Sequence, residues 1–600
     1  MPDLSQTSPA AFPLQGGLVL NKSTFGMQPG EALELVNFEP DINGGYRRIN
    51  GFAKYNTNVV PQTSASTEEV LLSCIFNDTI VAARGEKIFT ASAGSGSWTE
   101  RQSGRTSAGV YTFERFNFDG NDKLIVADGN NAPTVFNTSF SPSNVSQTAQ
   151  VGTGESTVLL VAISSGTTMT GPSGTPGTIT VRDTSQFASS GSLIINNETF
   201  TYTGKTVTGV SSATADTFTG VTRATSNSVA ADHAVGDFTF DLFPPAVAGA
   251  KFVVAFKDHM FYAGMSASKQ EVVFSVPFIE DNFSIAVGAG SFKVDDTITG
   301  LKVFREDLFI FCEDRIFKLS GSSVSNFAVS PVTRNIGCVN GQTIQEFAGD
   351  LIFLAPDGLR TVAGTARIGD VELGTISSPI QTVFNDNIAN SSGFRSIVVP
   401  NKTQYRVFFT KSGVSQPVTN GVLTSLRGQQ FEFAQIKGIR PTSTDTVTTA
   451  TETIVIHGGD GGYVYRQESG NDFDGTAING KYRSPDLSFG DAGIRKHMHR
   501  VLVSYKPESS ISADMLLRYD YEDPNSPRPA AYSLTASDIV AVYGAGTYGT
   551  STYGGQSEPL LRQSVEGSGF TVALRVNDNG TTAPYALRGF QMEYQTGARR

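Results

Sequence analysis

Tryptophan occurs once in 600 residues, cysteine three times and histidine five times, and only 17% of residues are charged. Each shortage removes a class of function. Cys74, Cys312 and Cys338 are too few and too far apart for a disulfide framework or a zinc site. Cys74 lies in LLSCIF and Cys312 in LFIFCED, apolar strand-like runs, so they are read as small core residues. Folding in a reducing compartment is the corresponding expectation. No run of about 18 apolar residues occurs, which excludes a membrane-spanning helix from the sequence pattern. The opening MPDLSQTSPAAFPLQGG has neither a basic segment nor an apolar one after it, so no secretory signal is expected.

Catalytic signatures are missing as well. There is no G-x-S-x-G elbow, no P-loop and no H-E-x-x-H. The histidines are His233, His259, His457, His497 and His499. His497 and His499, in KHMHR, would share one face of a strand and could form a two-ligand metal edge. No third ligand stands near them in sequence, and a solvated basic strand is the favoured reading. Paired carboxylates for glycoside cleavage can lie far apart in sequence. Glu280/Asp281 and Glu313/Asp314 are candidates that look the same as turn residues. GDGG from Gly459 resembles part of a calcium loop but lacks the spaced acidic ligands, and is read as a hairpin turn. The expectation is a non-enzyme with no catalytic, cofactor or metal residues, and with its binding residues unknown.

What is abundant points to β structure. Gly 62, Phe 41 and Tyr 18 accompany many Ser, Thr, Val and Asn residues. β-Branched and aromatic side chains suit pleated, half-buried surfaces, and Gly and Asn suit tight turns. The net charge of −11, with a sequence pI of about 5.1, does not favour capture of a phosphate backbone. It suits solubility, or a wall past which DNA moves without sticking. The basic clusters KGIRP (437–441), YRR (46–48) and terminal GARR (597–600) are too short for a nucleic-acid site. Arg599 and Arg600 remain candidates for docking to an acidic partner.

One pattern recurs along the chain: a strand, a polar turn and a second strand. It appears in FNDTIVAARGEKIFTA from Phe76, FDGNDKLIVADGNNAPTVF from Phe118 and FKDHMFYAGMSASKQEVVFS from Phe256. It returns in FREDLFIFCEDRIFKLS from Phe304, FAGDLIFLAPDGLRTVAG from Phe347 and ETIVIHGGDGGYVYRQ from Glu452, with a weaker copy, NKTQYRVFFTKSGVSQPV, from Asn401. Apart from one long gap, the copies recur at roughly the 40–50-residue period of four-stranded propeller blades. Six or seven blades are expected between about Glu68 and Gly470, each hairpin forming the inner strands of one blade.

The long gap, after the copy from Phe118, holds a Ser-, Thr- and Gly-rich segment opening near the linker-like GPSGTPG (171–177). TITVRDTSQFASSGSLIINNETFTYTGKT alternates apolar and polar residues between short turns and reads as a small β domain grafted between two blades. From about Ile478 alternating strands broken by Pro, Gly and Asn suggest a β-sandwich. VYGAGTYGTSTYGGQ (542–556) within it is a Gly- and Tyr-rich loop. The expected architecture is therefore all-β: an N-terminal strap (1–67), propeller (68–149), inserted β domain (150–241), propeller (242–474) and C-terminal sandwich-like domain (475–600).

Three segments in this order carry a resemblance. GGLVLNKSTFGMQPGEALELVNFEPDINGGYRRINGFAKY from Gly16 and GFTVALRVNDNGTTAPYALRGFQMEYQTGARR from Gly569 resemble the two ends of tail nozzle (tail tubular, or stabilisation) proteins of short-tailed bacteriophages. The insertion resembles a small β module of phage virion proteins and is not part of that family's common core. The resemblance implies a structural virion protein assembled in the host bacterial cytoplasm. It implies a homo-oligomeric ring, typically a hexamer, below the head-to-tail adaptor and portal. The ring would hold tail fibres or spikes, and viral DNA would leave through its lumen without specific binding. The alternatives are a fibre- or baseplate-type protein that binds cell-surface glycans and, third, a propeller polysaccharide hydrolase.

Overall fold

A computed structural model describes residues 7–62, 69–145, 147, 156–170, 177–196, 198–208, 215–225, 228–241, 245–362, 375–411, 419–428, 430–508, 511–523, 525, 528–536 and 560–599. The chain is an all-β protein of the β-propeller type, with one α-helix, Gln381–Asn390, among the described residues. It divides into two compact units. One comprises Arg101–Gly341, the other Met1–Glu100 with Gln342–Arg600.

Six small antiparallel sheets are the blades. In each, the recurring hairpin supplies the second and third strands. In the blade of residues 72–102 the first strand is Leu72–Phe76, the hairpin is Thr79–Arg84 and Lys87–Ala91, and Thr99–Gln102 completes the sheet. The hairpin strands are buried on both faces along most of their length, which is why they read as continuous apolar runs and not as alternation. Asn77 and Asp78 both take positive φ (47° and 55°) to turn the chain between strands, as do Lys257 and Asp258 (46° and 67°). Two successive left-handed residues match the twist of the flanking strands.

The Arg101–Gly341 unit holds the blades of residues 112–144, 252–293 and 298–333. Met260 and Tyr262 pack with Ile125 and Val135 of the blade before, and Phe256, Phe261 and Phe274 pack with Ile298, Leu308 and Leu319 of the blade after. The insertion, residues 156–241, has its own core of Leu159, Ile179, Val181, Leu193, Ile195, Phe200, Phe218 and Val221. The expected turn near Asn196 is present, with Asn196 at φ 53°. Most of GPSGTPG (171–176) lies outside the described residues.

The other unit holds the first three strands of the blade of residues 72–102 and the blades of residues 345–361 and 443–467. Strand Phe52–Lys54 from the N-terminal segment adds the fourth strand to the last of these, opposite Tyr465–Gln467. Ser73 and Ser443 hydroxyls lie 2.9 Å apart, and the Ile75 amide donates to Asp445 at 2.9 Å, joining that blade to the blade of residues 72–102. The weak copy from Asn401 also forms part of a four-stranded meander. Its last strand, Gln430–Lys437, runs parallel to Glu34–Val36 and so continues into a nine-stranded sheet.

The strands of 475–600 therefore do not stand alone. Gly480–Arg483, Val572–Asp578, Ile511–Tyr519 and Tyr532–Ala536 extend the nine-stranded sheet. A facing seven-stranded sheet contains the long strands Ile494–Pro507 and Tyr585–Arg599. Ser8–Pro13 and Tyr46–Arg48 from the N-terminal segment hydrogen-bond along Tyr585–Arg599. Between the sheets, Tyr482 packs against Tyr46 at 5.7 Å and Phe590 at 6.3 Å. The Tyr/Gly loop (542–556) lies outside the described residues.

Candidate functional site

A network of charge, centred on buried Glu39 and Arg406, gathers where the N-terminal segment meets the meander and the blade of residues 443–467. Glu39, on Phe38–Pro40, is buried. Lys402 Nζ lies 2.6 Å from Glu39 Oε1, Arg47 Nη1 3.0 Å from the same oxygen, and Gln404 donates to Oε2 at 3.0 Å. Arg406, almost fully buried, reaches Glu468 at 2.6 Å and Glu39 at 3.5 Å, while Lys402 also reaches Glu468 at 2.5 Å. Arg47 continues to Glu508 at 2.6 Å. Three carboxylates thus face three cations, and the set is neutral. Burial pushes the Glu468 carboxyl up, but Arg406 and Lys402 outweigh it and hold it at about 2. A carboxylate held so firmly ionised as Glu468 is a poor proton donor. The arrangement serves as a clasp holding segments from four parts of the chain.

YRR (46–48) proves to be part of the core and not a surface basic cluster. Arg48 is fully buried, pairs with Asp578 at 3.1 Å and donates to the carbonyls of Gly580 and Thr582. Within KGIRP, Arg440 bridges Asp460 (2.6 Å) and Glu69 (3.2 Å). Asp460 belongs to GDGG, which forms the expected tight turn, the Gly459 amide donating to the Tyr463 carbonyl at 2.9 Å.

Beside the clasp lies an open groove of about 590 Å³. Phe52 and Phe473 stack on one another at 5.2 Å in its wall, with Tyr465 against Phe52 at 5.0 Å. Glu34, Asp474, Lys437 and Lys481 supply charge of both signs. The groove can take a ligand with apolar and polar faces. Nothing in the sequence pattern marked it, because its residues come from three segments.

Three histidines serve the interior. His457 is completely enclosed, and burial lowers its pKa to about 3. His259 Nδ1 lies 2.6 Å from the Ser275 carbonyl. In the insertion, His233 Nε2 lies 2.9 Å from Glu198, which also accepts two hydrogen bonds from Arg223 at 2.8 and 2.7 Å. Burial raises the Glu198 carboxyl, but Arg223, the Ala231 amide and His233 hold it at about 2. His497 and His499 are exposed on either side of buried Met498, and a register shift falls between Met498 and Arg500. Among the described residues, no cluster of three His, Cys, Asp or Glu side chains could hold a metal ion.

Of the candidate carboxylates, Glu280 pairs with Lys123 at 2.9 Å. The Asp314 amide is held by Asp296 at 2.8 Å in a turn next to Glu313. A carboxyl not singled out from sequence is Glu114, on Thr112–Phe116, which burial pushes up to about 7 against the pull of Lys302 and Arg115. One raised carboxyl supplies an acid, whereas glycoside cleavage needs a second carboxylate across the bond. The charges felt by Glu114 are cations. All three cysteines are buried, and none is joined in a disulfide.

No protein-family model matches the chain, and no curated protein matches it. Among solved structures, it is similar to an exo-beta-1,3-galactanase from Phanerochaete chrysosporium in complex with galactose. That similarity has a TM-score of 0.22 and 9% identity, and covers 91% of this chain and 100% of the other. It is also similar to BBS1N in complex with ARL6DN (TM-score 0.23, 9% identity, 70% and 96% covered) and to Kluyveromyces lactis Hsv2p (TM-score 0.21, 6% identity, 62% and 97% covered). At these scores no residue role passes from those proteins to this one.

Proposed function

We propose that this protein is a structural virion subunit, the ring-forming nozzle of a short bacteriophage tail. It closes the tail below the head-to-tail adaptor, anchors fibres or spikes, and lets DNA leave through its lumen. The observation that supports this reading most is the joining of the two segments that carry the family resemblance. Although more than 500 residues apart, they are neighbours in one sheet, with Tyr46 opposite Leu587 and Arg47 opposite Ala586. The residues of the opening motif have tight structural duties there. A Cβ on Gly45 would stand 2.1 Å from the Leu587 carbonyl, and one on Gly51 would stand 1.8 Å from that of Asp472. Arg47 and Arg48 are the ion-paired residues described above. An acidic chain, in turn, suits passage of DNA without capture. Native mass spectrometry with and without adaptor protein tests the proposal. Closed oligomers of one defined size are expected, and monomers under every condition would refute it.

A second reading has its own observation. On the outer face of the insertion, Phe238 and Phe240 are 56% and 40% exposed, and their rings lie 5.9 Å apart at an interplanar angle of 27°. Near-parallel exposed rings form a platform on which the apolar face of a sugar can rest. This favours glycan recognition by the insertion, whether the body is a nozzle or a fibre component. A glycan array probed with the full chain tests it, and absence of any Phe238- and Phe240-dependent signal would remove it.

A further inference from the structure

The seven-stranded sheet buries one face, on which Met498, Val501, Val503, Phe590 and Met592 lie. Four neighbouring strands, Ser8–Pro13, Tyr585–Arg599, Ile494–Pro507 and Leu560–Ser564, also form an outward face. Outward positions of a half-buried sheet are ordinarily polar. Here one cross-strand row runs Pro13, Gly589, Ser504, Leu560, and the next runs Ala11, Gln591, Leu502, Arg562. A third runs Pro9, Glu593, Arg500, Ser564. Apolar residues thus take outward positions on three of the four strands, and Leu560 is 52% exposed.

The same strands concentrate positive charge. They hold seven Lys or Arg residues and a single acid, Glu593, in a chain of net charge −11. That surplus of six leaves −17 on the rest of the chain. Arg500 and Arg562 are both exposed. Glu593 lies 3.5 Å from Arg500, so no acid of these strands remains to match Arg562. A register shift after Met498 turns both His499 and Arg500 outward. The basic motifs KHMHR and GARR, far apart in sequence, meet at one end of the sheet. There His497 stands opposite Gln595 and Ile494 opposite Arg599.

The edge beside this face is closed. The Leu14 amide donates to the Arg588 carbonyl, so by strand alternation the backbone nitrogens of residues 9, 11 and 13 point away from that strand. Proline at 9 and 13 removes two donors from the free edge and opposes addition of another strand. A partner therefore meets the face and not the edge. The four strands total 40 residues. At about 3.4 Å by 4.8 Å of sheet per residue, the flat face measures about 650 Å². That approaches the ~800 Å² per partner of a standard interface. We propose that this face is the contact between neighbouring copies of the chain in the ring, docked on an acidic surface elsewhere on the next copy. The inference rests on the ring reading above. Pairing of the face with itself would set cation against cation, so the contact is heterologous, and heterologous contacts are those that close into rings.

Native mass spectrometry of the full chain, alone and with adaptor protein, tests this. The unaltered chain is expected to form rings that weaken with added salt. Arg500→Glu with Arg562→Glu, at exposed positions, should weaken association about a hundredfold or more and leave folded monomers by circular dichroism. Leu560→Lys keeps the face basic but removes an apolar contact, and should weaken association several-fold. Arg182→Glu with Lys269→Glu makes the same change in charge at exposed positions of the other unit, and should leave the rings intact. Unchanged association in both face variants would overturn the inference and leave the ring reading standing. Loss of rings in the Arg182 and Lys269 pair would also overturn it, because added negative charge anywhere would then suffice. Absence of rings from the unaltered chain under either condition would sink both readings.

Discussion

Two buried ionic networks in this protein are built from opposite materials. In the insertion, Glu198, Arg223 and His233 come from a stretch of fewer than forty residues and stabilise one small core. In the clasp, Glu39, Lys402, Arg406, Glu468 and Glu508 come from segments spread over most of the chain. The first network can form as soon as its own domain collapses. The second can form only after the N-terminal segment, the meander and the blade of residues 443–467 have met. Local wiring marks a module that can be grafted, and distributed wiring marks a body that must be completed as a whole.

The comparison can be broken most severely at Arg406. Arg406→Ala leaves Glu39 and Glu468 buried with less countercharge, and removing one partner of a buried pair costs about 3–5 kcal/mol. Denaturant unfolding should show that loss in the main transition, with the insertion unaffected. A loss below about 1 kcal/mol would mean the clasp is a surface-grade network. Next, Glu198→Gln removes the charge shared by Arg223 and His233 but keeps an acceptor, for a cost near the lower end, about 3 kcal/mol. Calorimetry should show an earlier, separate transition for the insertion only. A shift of the main transition instead would contradict the modular reading.

A third effect depends on pH. His457 titrates near 3 in the fold, below its ordinary value of 6.5, so the unfolded chain binds its proton first. Its contribution to stability is complete above pH 6.5 and is lost as pH falls towards 3. Glu198 and Glu468, both held at about 2, contribute above the ordinary carboxylate range and lose that contribution as pH falls through it. His457→Gln should therefore flatten the acid slope between pH 6.5 and 3, most visibly above pH 5, where the carboxylates do not yet contribute. An unchanged slope above pH 5 would assign it to other groups. The smallest expected effect is that of Phe238→Ala with Phe240→Ala. These exposed positions should change stability by about 0.5 kcal/mol or less each, while abolishing any glycan-array signal.

The same contrast accounts for what the sequence disclosed. Hairpins are local, so the second and third strands of every blade were legible from apolar runs and polar turns. The insertion was legible for the same reason: Ile179 and Val181 alternate with Thr178 and Thr180 within a few residues. Long-range joins left no such trace. Phe52–Lys54 is a three-residue strand, too short for any periodicity, yet it completes a blade. The parallel pairing of Val36 with Gln435 turns the copy from Asn401 from an isolated blade into part of a nine-stranded sheet. YRR read only as a short basic cluster because burial of Arg48 depends on Asp578, far along the chain. The groove at Phe52 and Phe473 was invisible for the same reason, since it is assembled from separated segments.

The central claim is that this chain is a ring-building structural subunit. Electron microscopy of the purified protein with class averaging tests it most directly. The account predicts closed rings of uniform symmetry with a central hole, alone or after addition of adaptor protein. A field of single particles with no ring under either condition would contradict it.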